Sequence, residues 1–167
     1  MHARSRQCGA VLLLFAAILF SLASSLHAQT SLSDKTDKLV SLLKQDNYDY
    51  LTTSSPTVFV VHLTGTNLKD IKVVLALGDD EDSDLIMFVT VTPKATMPAT
   101  SDFRYALLKF NHDYDRVKVG LDRDDDLSVR IDGSMRLADA LYLKNSIEQL
   151  QQSCDEIYGK IQPELLH

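Results

Sequence analysis

The residues best suited to chemistry lie in "GLDRDDDLSVRIDG", positions 120–133, where Asp122, Asp124 and Asp126 recur at every second position. A D-x-D-x-D start is how a calcium-binding loop begins, because alternate carboxylates can converge on one hard cation. A full EF-hand loop starting at Asp122 also requires Gly at its sixth place for the sharp turn and a bidentate Glu at its twelfth. Those places hold Leu127 and Gly133, and Leu127 already opens the apolar face of a strand. The stretch therefore reads as a polar hairpin turn, with a weak accessory cation site as the alternative.

A second acidic run, "GDDEDSD" (78–84), lies between two strongly apolar segments. It is expected to be a solvated turn whose like charges oppose edge-to-edge aggregation. His62, His112 and His167 are far apart, without HExxH or paired Cys-His spacing, so no metal site is expected. No G-x-S-x-G, phosphate loop or dinucleotide fingerprint is present. The expectation is a protein that is not an enzyme, with no catalytic residues and no cofactor.

The elements that must position these residues begin after "MHARSRQCGAVLLLFAAILFSLASSLHA". Basic Arg4 and Arg6, an apolar run and a small-residue exit are the layout of a secretory signal peptide, expected to be cleaved after Ala28. An uncleaved anchor is the alternative, although the run is shorter than the roughly 20 residues a spanning helix needs. Cleavage leaves residues 29–167 as one domain, periplasmic or secreted, and no membrane association. Losing Arg4 and Arg6 and no acid moves the formal charge from −6 to −8. Such an acidic chain without clustered Lys or Arg is a poor partner for phosphate backbones, and nucleic acid is excluded as a partner. Only Cys154 remains after processing, so an internal disulfide is impossible.

"SLSD" (31–34) reads as a capping box opening a helix with Leu32, Leu39, Leu42 and Leu43 on one side. "TTSSP" (52–56) reads as a loop. Strands are predicted at 57–64, 71–77 and 85–92, each rich in Val, Ile, Leu and Phe. Phe103, Ala106, Leu107, Phe110 and Tyr114 form a helical stripe. Residues 117–121 and 127–131 alternate cleanly and predict a half-exposed antiparallel hairpin. A long helix, about 137–161, carries Ala140, Leu143, Ile147, Leu150, Cys154, Ile157 and Ile161 on one seam. Cys154 is expected to be buried there as a small hydrophobe.

The predicted order is α-β-β-β-α-β-β-α, an α+β fold with a five-stranded antiparallel sheet. Both faces of the first three strands are apolar, so both require cover. One helix layer covers one face. The other is left to a helix, a second subunit or a bound client.

This order resembles the type III secretion chaperone-like fold. "FRYALLKFNHDYDRVKVGLDRDDDLSVRIDGS" with the helix after it resembles the YbjN domain family, which is labelled a sensory transduction regulator. The resemblance covers about residues 33–161. It implies a small dimeric chaperone or adaptor that holds an extended partner segment against apolar surfaces. Secretion chaperones are cytoplasmic, whereas this chain carries an export signal, so an envelope relative of the fold is implied. The expectation is an exported, homodimeric binding module for a protein or peptide. Its contacts would be Val58, Val60, Val74, Ile86 and Phe88 on the sheet, or Phe103, Leu107 and Phe110 on the middle helix. A divalent-ion or small-ligand sensor using the acidic turns is the alternative.

Overall fold

The computed structural model describes residues 31–79 and 84–166. The expected signal segment, His167 and most of the 78–84 turn lie outside them. The unit from Leu32 onward is built of three helices and six strands.

Helix α1 (Leu32–Gln45) turns Leu39, Leu42 and Leu43 inward. It stops because Asn47 adopts a left-handed conformation (φ 56°). The N–H of Tyr48 then reaches the Leu43 carbonyl (2.9 Å) and that of Asn47 the Lys44 carbonyl (3.1 Å). This double closure satisfies the last helical carbonyls and redirects the chain. It leads into β1 (Tyr50–Thr52), a strand missing from the sequence reading. Three residues are too few to display a period of two, and Thr52 looked like the start of a loop.

Strands β2 (Val58–Leu63), β3 (Ile71–Leu77) and β4 (Leu85–Thr92) follow, close to their predicted limits. Helix α2 (Ser101–Asp113) begins where the Thr100 hydroxyl accepts the Phe103 N–H. Strands β5 (Lys118–Leu121) and β6 (Leu127–Gly133) form the expected hairpin. Helix α3 (Ala140–Ile161) starts later than predicted, because Asp139 caps it by accepting the Tyr142 N–H at 2.7 Å. The fold is α+β, with every strand pair antiparallel, in the order β1-β2-β3-β4-β6-β5. Six strands replace the five expected.

One face of the sheet is core. Phe59, Leu75, Met87 and Ile131 lie in successive register across β2, β3, β4 and β6, and all are buried. Leu39 and Leu43 of α1, Phe103, Leu107 and Phe110 of α2, and Leu143, Ile147, Leu150 and Ile157 of α3 join the same cluster. The helices thus share one side of the sheet. Cys154 is buried within this seam, as expected. Burial, aided by the Asp155 carboxylate, pushes its thiol pKa far up.

Polar contacts lock the layers. Asp155 of α3 accepts the N–H groups of Asn67 (2.7 Å) and Leu68 (2.8 Å), fixing the β2–β3 turn on the helix. Gly65 permits this approach, since a Cβ there would stand 2.2 Å from an Asp155 oxygen and 2.8 Å from the Leu68 carbonyl. At the β5 edge, Asn111 of α2 both donates to the Val119 carbonyl (2.9 Å) and accepts its N–H (2.7 Å). A side chain thereby occupies backbone groups that an added strand would otherwise use.

Candidate functional site

The acidic stretches resolve into structure first. In the 122–126 turn, Asp122 Oδ1 accepts the N–H groups of Asp124 (2.9 Å) and Asp126 (3.0 Å). Asp125 takes the left-handed conformation (φ 62°), and the Asp122 N–H reaches the Asp126 carbonyl (2.9 Å). This is a three-residue hairpin loop, with Asp at the place that demands a positive φ. Asp126 accepts the Lys94 N–H (2.7 Å), and Asp125 pairs with the Lys94 ammonium (2.6 Å), which holds its carboxyl below the usual range. The aspartates thus build the turn and tie it to the segment before α2. Among the described residues, no group of three or more His, Cys, Asp or Glu is arranged to hold a metal ion.

The other run requires a correction. Asp80, Glu81, Asp82 and Ser83 lie outside the described residues, but Asp84 is no solvated turn acid. It is buried at 2% exposure, paired with Lys35 of α1 at 3.1 Å, and accepts the Met135 N–H at 2.5 Å. Lys35 also donates to the Gly78 carbonyl (3.3 Å). The carboxylate clamps α1, the β3–β4 hairpin and the segment before α3. Lys35 was invisible as its partner because the two are distant in sequence.

The sheet face opposite the helices carries the second apolar set. Val58, Ala76 and Ile86 stand in register across β2, β3 and β4, and Val60, Val74 and Phe88 form the adjacent row. All six are half-buried, alternating along their strands with fully buried neighbours. The structure therefore assembles Val58, Val60, Val74, Ile86 and Phe88 on one surface, away from the helical core. Phe103, Leu107 and Phe110 do not join them. These three face inward from α2 and are buried, because the helical stripe is the side that packs on the sheet. The outer side of α2 instead exposes Tyr105 and Leu108. Phe103 and Leu107 do line a cleft of about 440 Å³ with Met97, Leu121, Lys94 and Arg104.

The second row extends beyond its apolar middle. Leu51 of β1, 59% exposed, pairs with Val60, and on the far side Phe88 pairs with Arg130, which pairs with Lys118. The row reads Leu51, Val60, Val74, Phe88, Arg130, Lys118, one residue from every strand. Asp132, opposite Ile86 in the neighbouring row, receives both the Lys118 ammonium (2.6 Å) and the Arg130 Nε. Burial acts to raise the Asp132 pKa, but the hydrogen bonds from Lys118 and Arg130 and their charges outweigh it and hold it below its ordinary value. Leu51, Arg130 and Lys118 escaped the sequence reading, since only cross-strand register joins them to the face. The alternation of Lys118 and Arg130 with Val119 and Val129 was the one available signal.

Among the described residues, no helix is long and apolar enough to cross a membrane. No family model matches the chain, and the expected resemblance to the YbjN domain family finds no support. No curated protein matches it either. Among solved structures, it is similar to a chain of the heterodimeric ExoU–SpcU complex from the type III secretion system of Pseudomonas aeruginosa. That similarity has 16% identity and a TM-score of 0.49, covering 75% of this chain and 95% of the other.

Proposed function

We propose that the protein is an exported, non-enzymatic binding module that holds an apolar segment of another protein on its open sheet face, acting as a homodimer. One observation carries this reading. Val58, Ala76, Ile86, Val60, Val74 and Phe88 stand side by side on the face opposite the helices and, among the described residues, outside the helical core cluster. A sheet face of ordinary solvent-facing character would alternate to polar residues at these places. Covering apolar surface yields about 25 cal/mol per Å², from which the cost of ordering the partner is subtracted. A segment covering both rows would therefore bind reversibly, which suits a chaperone or adaptor.

Homodimerisation has a separate surface available in Tyr105 and Leu108 on the outer side of α2, which leaves the sheet free for a client.

Site-specific photo-crosslinking in the exporting cell tests the reading. A photoreactive residue at Val74 is expected to trap a discrete protein partner, whereas one at exposed Lys144 on α3 is not. Equal trapping at both positions, or none at Val74, refutes it. Light scattering of the purified protein, with Tyr105→Ser and Leu108→Ser as the comparison, tests the dimer.

A further inference from the structure

The row Leu51–Val60–Val74–Phe88–Arg130–Lys118 crosses the whole sheet and changes character once. Strands lie about 4.8 Å apart, so the apolar part from Leu51 to Phe88 spans roughly 14 Å and the two cations extend it by roughly 10 Å more. Among the described residues, the cationic end is only partly neutralised. Two cations share one carboxylate, Asp132, which is itself only 14% exposed. Lys118 is 69% exposed at its side chain and Arg130 46%. Arg130 engages Asp132 through Nε, leaving its outer guanidinium donors without a partner among the described residues. Near the start of β3, by contrast, Lys72 has Asp70 at 3.1 Å.

We infer that this row is a polarised docking line. Its occupant is a protein segment apolar over the stretch that meets Leu51 to Phe88 and carrying a carboxylate where it meets Arg130 and Lys118. The inference rests on the binding reading above and adds a direction and a charge to the client. Charge complementarity selects the carboxylate, because planar guanidinium donors beside an ammonium match its paired oxygens. The chain's net negative charge, −6 before and −8 after loss of the leader, opposes an acidic client elsewhere. Screening over about 8 Å at physiological salt confines that opposition, so the local pair of cations decides.

The test uses two short fluorescent peptides, about ten residues and roughly 33 Å when extended. Both alternate leucine and serine and are amidated; one ends in two aspartates, the other in two asparagines. With the full chain, the aspartate peptide is expected to bind about tenfold more tightly, an advantage that shrinks at high salt. Lys118→Gln, at an exposed position, is expected to remove most of that advantage and leave the asparagine peptide unaffected. Arg130→Gln is expected to act the same way, with circular dichroism confirming the fold. Equal binding of the two peptides to the wild type, with both lost in Phe88→Ser, overturns the polarity and leaves the binding face standing. Binding indifferent to Phe88→Ser overturns both. A preference for the aspartate peptide that persists in Lys118→Gln and Arg130→Gln places the carboxylate elsewhere and overturns the docking line.

Discussion

Replacing Asp84 with alanine strips Lys35 of its counter-ion while leaving the ammonium at 9% side-chain exposure, and it orphans the Met135 N–H. Breaking a buried pair on one side costs about 3–5 kcal/mol, because the remaining charge stays buried without compensation. A domain of this size loses roughly 3–5 °C of Tm per kcal/mol, so Asp84→Ala is expected to melt about 10–20 °C lower. Asp84→Asn keeps an acceptor for the Met135 N–H and removes the charge, so its loss is smaller. Combining Asp84→Asn with Lys35→Met leaves no buried charge, and most of the stability should return. Urea unfolding of the four proteins, followed by far-ultraviolet circular dichroism, measures these differences. If Asp84→Ala lies within about 1 kcal/mol of the wild type, or the double variant is no better than the alanine, the clamp is not as described.

Neighbouring residues on β4 should behave oppositely. Met87→Ala opens the core and is expected to cost about 2–5 kcal/mol, whereas Phe88→Ala, on the open face, costs about 1 kcal/mol or less in the same urea assay. Asp155 gives a pH signature. Burial acts to raise its pKa, but hydrogen bonds from Leu68, Asn67 and Thr66 outweigh that and leave it depressed. Its contribution is therefore complete above the unfolded value of about 3.9 and fades as pH falls through the lower folded value. The half-exposed carboxylate is screened, so Asp155→Ala should lose about 1 kcal/mol at neutral pH and approach the wild type near pH 2 in thermal melts. Cys154 should resist a thiol reagent in the native protein and react on unfolding in denaturant; rapid native labelling would contradict its place in the α3 seam.

Much of this architecture is legible along the chain, for identifiable reasons. In β3, Ile71, Val73, Leu75 and Leu77 alternate with Lys72, Val74 and Ala76, so strand and faces follow from a period of two. The same alternation shows that Val74, Ala76, Ile86 and Phe88 require an explanation outside the helical core. Failures occurred where the deciding partner lies far away in sequence. Asp84 resembles its acidic neighbours until Lys35 is brought beside it, and Leu51 resembles a loop residue until Val60 is paired with it. Lys118 and Arg130 are ordinary outward residues of a hairpin; only the register through Phe88 places them at the end of an apolar line. The stripe of α2 is correct as a pattern, but the pattern marks the side that packs, which is why Phe103, Leu107 and Phe110 are buried.

The proposed function stands or falls with client binding at the open face of β2, β3 and β4. The most direct test titrates the wild-type protein and an Ile86→Ser/Phe88→Ser variant with the asparagine-ended apolar peptide, after confirming that both share the same circular dichroism spectrum. Saturable binding to the wild type and its loss in the variant are expected. Equal binding to both folded proteins would contradict the proposed function.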